Sequence, residues 1–371
     1  MNDRLSRRRL LAVTAGSGAI AIAGCLDQLT SNDARAVAED SANNPPEEKL
    51  LPVRDHDVPM AHDLTTFEAN AVSGGVSKDA IPSIDDPVFD DVAYGDSILD
   101  PGDPVFGLEL DGEARAYPQR ILVRHEIVND TFGDDAIAIT YCPLTGTAVG
   151  FERGSVEFGV SGQLVNNNLI MYDRATDSWW PQILGASVLG AHTGDALFEE
   201  RLVWTTWERW TDAYPETAVL TEETGQAFDY GREVYGSYDP PSGHYANDNI
   251  PFSLLSEDDR YHPKAVFLGA RGPDGAVAYN KERLRDERLL EVDVNGTPHL
   301  ATYDEALDTA WVYRNPESLP EENTSVEVRE DGYERPDGQL YEADNLPLPS
   351  LNVFDAMWFA WVGFYPETVV A

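Results

Sequence analysis

The sequence predicts an α+β fold, rich in strands with short helices and built from two internally duplicated halves. Three observations carry this. Asp111-Gly112 sits between Val105–Leu110 and Glu113–Tyr117, two short runs in strand composition, and Asp-Gly suits the two-residue type I′ turn of a hairpin. Trp207-x-x-Trp210-x-x-x-Tyr214-Pro215-Glu216-Thr217 recurs as Trp358-x-x-Trp361-x-x-x-Tyr365-Pro366-Glu367-Thr368. Asp111-Gly112-Glu113-Ala114-Arg115-Ala116-Tyr117 is echoed by Asp274-Gly275-Ala276-Val277-Ala278-Tyr279. Tryptophan is rare enough that the second match points to duplication within the chain.

Along the chain, the first segment reads as an export signal over residues 1–25. Arg4, Arg7, Arg8 and Arg9 precede a weakly apolar stretch from Leu10 to Ala23, shorter than the ~20 residues a spanning helix needs. Ser6-Arg7-Arg8-Arg9-Leu10-Leu11 resembles a twin-arginine signal, and Ile22-Ala23-Gly24-Cys25 resembles a lipobox whose cysteine accepts lipid. Residues 26–50 lack apolar periodicity and are rich in Asp, Glu, Asn, Ser and Ala, which predicts a disordered acidic tether. The expected location is the outer face of the cytoplasmic membrane, with the lipid bilayer as partner through Cys25.

Residues 51–102 read as an N-terminal extension, 103–220 as repeat one, 221–262 as an inter-repeat segment and 263–371 as repeat two. In repeat one, Pro118 to about Val128 fits a short helix with proline in its first turn. Ala136–Tyr141, Ala148–Glu152, Val156–Val160 and Leu169–Tyr172 fit strands. Trp204–Ala213 fits a helix carrying Trp207, Trp210 and Ala213 on one face. The paired tryptophans are expected as core anchors of each half.

Composition excludes some functions. The 371 residues carry a formal charge of −40, from 66 acidic and 26 basic side chains. No basic patch exists to neutralise phosphates, so no nucleic acid is expected as partner. Self-repulsion on this scale opposes a compact state, and dense salt relieves it, since the Debye length falls to about 3 Å at 1 M. Arginine dominates over lysine, of which Lys49, Lys78, Lys264 and Lys281 are the full set; the pattern is similar to that of halophilic proteins.

With Cys25 committed to lipid, Cys142 is the one thiol left in the body, and no internal disulfide is available to it. Repeat two has Asp304 at the corresponding place and nothing like His125, so chemistry is expected in repeat one. Three readings stand beside a purely structural one. Cys142 is a nucleophile with His125 as its base and Glu126 or Asn129 orienting the histidine, while the Gly146 and Thr147 amides hold an oxyanion. Alternatively, Cys142 and His125 begin a copper or zinc site, completed through folding by His192, His244 or His262. In the third reading Asn129, Asn166-Asn167-Asn168, Tyr172, Asp173, Arg174 and Trp179-Trp180 bind a small-molecule ligand without catalysis. In the structural reading, Cys142 is a small buried residue ending its strand and His125 a satisfied helix residue.

His125-Glu126-Ile127-Val128-Asn129-Asp130, Thr140-Tyr141-Cys142-Pro143-Leu144 with Gly146, Met171-Tyr172-Asp173-Arg174 and the Trp-x-x-Trp…Tyr-Pro repeat resemble the family called domain of unknown function 3179. The resemblance covers nearly all of the chain beyond about Asp100. It implies no established activity or cofactor. It also implies a second cysteine at position 145, where this chain carries Thr145, so a dithiol pair is not expected. Three acceptor patterns for N-glycosylation, at Asn129, Asn295 and Asn323, complete the motifs.

Overall fold

The computed structural model describes residues 51–57, 60–232, 234–236, 241–315 and 326–371. The expected signal, Cys25, the tether and the Asn323 acceptor lie outside them. The described residues form one compact unit.

The first half opens with the expected hairpin. Strands β1 (Pro104–Leu110) and β2 (Glu113–Pro118) pair from Leu110↔Glu113 to Val105↔Pro118, and both turn residues, Asp111 and Gly112, have positive φ. Helix α1 (Gln119–His125) follows. It ends earlier than composition suggests, because Glu126 adopts the left-handed conformation (φ 59°) and the β-branched pair Ile127-Val128 starts strand β3 (Ile127–Phe132). Strands β4 (Asp135–Cys142) and β5 (Thr147–Glu152) extend this sheet as a meander. Strands β6 (Phe158–Val165) and β7 (Asn168–Asp173) pair as a hairpin. Its turn is Asn166-Asn167, both at positive φ, as a two-residue turn requires. Strand β8 (Val203–Thr206) then adds antiparallel to β1, helix α2 (Trp207–Ala213) follows, and β9 (Ala218–Leu220) adds parallel to β2. The residues expected to begin this helix are therefore strand, and the helix starts where Thr206 caps it by accepting from the Arg209 N–H. Ala213 faces solvent, not the core.

The same order recurs in the second half: β10 (Val266–Gly272), β11 (Gly275–Asn280), α3 (Lys281–Glu287), β12 (Leu289–Val294), β13 (Thr297–Asp304), β14 (Thr309–Arg314), β15 (Val353–Met357), α4 (Trp358–Phe364) and β16 (Val369–Val370). Pairings repeat too, with β15 antiparallel to β10 and β16 parallel to β11. Helix α3, like α1, ends on a left-handed residue, Arg288 (φ 64°).

The tryptophan motif is explained by contacts that occur twice. The Trp210 indole N–H donates to Thr217 Oγ1 at 2.9 Å, and that of Trp361 donates to Thr368 Oγ1 at 2.9 Å. Each ring lies flat on a strand glycine. A Cβ at Gly107 would sit 2.2 Å from Trp210, and one at Gly269 would sit 2.3 Å from Trp361, which accounts for a glycine in the matching strands of both halves. All four tryptophans of the motif are buried. The halves share one hydrophobic core, in which Cys142, Phe151 and Trp180 pack with Phe267, Trp358 and Trp361. Two buried arginines stitch them further. Arg201 lies over the Trp311 ring at 3.6 Å, and Arg271 pairs with Glu199 while covering Phe354.

Candidate functional site

His125 and Cys142 leave adjacent elements, α1 and the end of β4, but the structure does not join them. His125 is buried with both ring nitrogens committed. Nδ1 lies 2.7 Å from the Pro82 carbonyl and Nε2 lies 2.6 Å from the Tyr230 hydroxyl. A carbonyl only accepts, so Nδ1 carries the proton and Nε2 accepts from Tyr230. Burial lowers the imidazole pKa, opposed by the Pro82 bond, which keeps the ring neutral. His125 ties α1 to the N-terminal extension and the inter-repeat segment. The expected His125–Cys142 dyad is thus replaced by a structural histidine.

The ligand-binding set resolves the same way. The Asn129 amide donates to Asp85 Oδ1 and the Phe158 carbonyl, and its oxygen accepts from the Phe158 N–H. Tyr172 donates to Asp79, and Arg174 spans Asp85, Glu157 and Ser83. Asp173 accepts from the Thr176 and Ser178 amides and from the Trp180 indole at 3.1 Å, organising a turn. Asn166 and Asn167, side chains of the β6–β7 turn, hold the Leu255 and Phe252 amides at 3.0 and 2.9 Å. Asn168 bonds Thr145 Oγ1 and Gln182. These residues bind the protein to itself; their polarity is spent on internal partners.

What does surround Cys142 is a different set. The thiol is 2% exposed, donates to the Asn167 carbonyl at 3.6 Å, and receives hydrogen bonds from the Thr145 hydroxyl and from the Thr145 and Leu169 amides. The Gly146 and Thr147 amides, expected as oxyanion donors, follow the thiol at the turn between β4 and β5. The acidic group whose charge acts on the thiol is Glu126. Its left-handed backbone, at the end of α1, places a half-buried carboxyl in the field of the thiol. No hydrogen bond to that carboxyl comes from the described residues. Burial pushes Glu126 up to about 8. Burial, with the Glu126 charge adding to it, pushes Cys142 up to about 11. At neutral pH both groups are therefore mainly protonated, and the site carries a half-buried carboxylic acid in the field of a thiol.

The inter-repeat segment closes over this pair. Tyr235 feels both Glu126 and Cys142, and burial with those charges pushes its phenol up to about 12. The Tyr245 hydroxyl meets that of Tyr141 at 2.5 Å, and Gln119 donates to Tyr141 at 2.7 Å. His244 Nε2 donates to the Leu144 carbonyl at 3.0 Å, two residues beyond Cys142. Lys264 Nζ holds the His244 carbonyl at 2.6 Å and Asn247 at 3.2 Å. Tyr235 and Tyr245 are site residues that sequence reasoning missed, because their contacts cross about a hundred positions. Glu126 was assigned only to orient His125.

For the copper or zinc reading, the described residues contain no group of three or more His, Cys, Asp or Glu side chains disposed to hold a metal ion. His192 instead pairs with Asp195, His262 with Asp248, and His244 with the Leu144 carbonyl.

A family model described as Protein of unknown function (DUF3179) matches residues 78–368. The chain belongs to that family. The match spans both halves and includes Glu126, Cys142 and the inter-repeat cover. Nothing matches among curated proteins or among solved structures. Among the described residues no helix is long and apolar enough to cross a membrane.

Proposed function

We propose that this DUF3179 member is an exported, lipid-anchored protein whose body carries a thiol site in the first half, with Cys142 as the reactive atom and Glu126 as its proton acceptor and donor. The site rests on the Glu126 carboxyl, which ends α1 on a left-handed residue, is raised by burial to about 8 and acts through its charge on the thiol. A group poised near neutrality moves protons efficiently in either direction. In this reading, the minor fraction of Glu126 that is ionised at neutral pH takes the proton from Sγ, and the Thr145 and Leu169 donors hold the thiolate that forms. His125 positions α1 and touches no reacting atom. The covering tyrosines and Leu144 turn keep bulk water out, which suits a small uncharged electrophile as the reacting partner. A shell of internal partners around Asn129, Tyr172, Asp173 and Arg174 fixes the scaffold.

The export part of the proposal is supported by the arginine-led signal and Cys25 in its lipobox-like setting. The charge of −40 supports a salt-requiring fold. Fractionation of cells making the full chain tests the address: the protein is expected in the membrane fraction, with the N-terminal peptide beginning at lipid-modified Cys25. A soluble chain with an intact first segment defeats it. For the site, methylthiolation of Cys142 by methyl methanethiosulfonate in high salt is expected to slow at least tenfold in Glu126→Gln and to change less than twofold in His125→Gln. Equal rates in wild type and Glu126→Gln remove Glu126 from the chemistry.

A further inference from the structure

Of the acceptor patterns for N-glycosylation, two fall on described residues, and the fold separates them sharply. Asn129 is 2% exposed, with both amide atoms engaged by Asp85 and Phe158 inside the sheet. Asn295 lies at the tip of the β12–β13 hairpin, whose strands close on Val294↔Thr297. Asn295 and Gly296 form the two-residue turn, with φ 51° and 89°, and Asn295 is exposed. The space around Gly296 is open to 4 Å beyond its own chain neighbours. The Asn295 amide nitrogen donates to the Asp274 carbonyl at 2.6 Å, and the Thr297 hydroxyl donates to Asp274 Oδ1 at 3.1 Å. Both contacts are to one neighbouring hairpin and release by side-chain rotation, with no change in strand pairing.

We propose that Asn295 is the residue of the described body that carries a glycan, and that Asn129 carries none. The proposal rests on the export reading given above and deepens it. A twin-arginine route delivers a folded protein, so an acceptor asparagine must be reachable on the finished surface and not merely on a nascent chain. The co-reactant is a lipid-linked oligosaccharide phosphate. The Asn295 Nδ2 attacks the anomeric carbon, a C–N bond forms, the anomeric C–O bond breaks with the lipid phosphate leaving, and the amide loses one proton. Thr297 completes the acceptor pattern. The hairpin tip belongs to the second half, whereas Cys142 belongs to the first.

The test is peptide mass spectrometry of the full-length protein purified from the cells that naturally make it, reading the Asn129, Asn295 and Cys25 peptides in one digest. The expected result is added hexose mass on the Asn295 peptide, an unmodified Asn129 peptide, and loss of the added mass in Asn295→Gln with thermal unfolding shifted little. Thr297→Ser is expected to keep the modification and Thr297→Val to lose it. A Cys25 peptide that is processed and lipid-modified while Asn295 is unmodified overturns the glycan proposal and leaves export standing. An unprocessed Cys25 peptide with bare Asn295 overturns both. Glycan on Asn129 contradicts the burial argument.

Discussion

The two halves solve the same packing problem with opposite chemistry at their centres. In the second half Lys281, at the start of α3, makes a buried ion pair with Asp355 at 2.8 Å. Asp304 ends β13 and caps its own turn, accepting from the Leu307 amide at 3.1 Å and from the Trp311 indole at 3.3 Å. Arg288 takes the left-handed position after α3 and covers the Tyr333 ring. At the matching places the first half has Gln119, Trp204, Cys142 and Glu126. There the charged pair gives way to an aromatic cluster of Phe106, Tyr141 and Trp204, the turn cap becomes a thiol, and a cation becomes an acid. One scaffold thus carries an ion-paired polar centre on one side and an acid raised by burial to about 8 on the other. The difference teaches that the first half gives up local stabilisation where the second keeps it, as expected of a site kept for chemistry.

The largest expected effects probe what the halves share and what the second half keeps. Trp210→Ala and Trp361→Ala each remove a buried ring stacked on a glycine, and each is expected to cost about 3–5 kcal/mol by urea denaturation in high salt. A loss confined to one half breaks the equivalence. Lys281→Met leaves Asp355 buried without its cation and is expected to cost about 3–5 kcal/mol, most of which Asp355→Leu in the same chain restores. No recovery in the double variant means the ion pair is more than a replaceable core contact.

A smaller effect separates the two turns. Asp304→Ala removes both cap bonds and is expected to cost about 1–2 kcal/mol. Cys142→Ser, which adds a stronger hydrogen-bonding group among the Thr145 and Leu169 donors, is expected to change stability by less than about 1 kcal/mol. The most specific effect is spread over pH and is read as a slope. Because Glu126 lies near 8 in the fold against an ordinary 4.5, the native state binds the extra proton between those values. Native stability therefore falls as pH rises through that window, by at most about 1.4 kcal/mol per pH unit from this group. In Glu126→Gln that slope disappears. A wild-type slope unchanged by the substitution places the titration elsewhere.

Much of the scaffold was legible in the sequence. The Asp111-Gly112 turn announced its hairpin through residues that tolerate positive φ, and the repeated tryptophan motif announced two buried anchors. Local chemistry was enough in both cases. The site was less legible because its contacts are long-range. His125 looks like a base until Pro82 and Tyr230, 43 and 105 positions away, take both nitrogens. Asn166 and Asn167 look like ligand contacts until the β6–β7 turn makes them φ-positive hinges that clamp the inter-repeat segment. Glu126 shows its role only once a helix end, a strand end and a covering loop meet around it.

The central claim is that Glu126 is a neutral acid beside Cys142 at neutral pH. Infrared difference spectroscopy of wild type against Glu126→Gln, in high salt from pH 4 to 10, reads that carboxyl directly. The account predicts a protonated-carboxyl band that persists through neutrality and fades with a midpoint near the value of about 8 set by burial. A band that vanishes around the ordinary 4.5 contradicts it, and with it the assignment of the proton in this site.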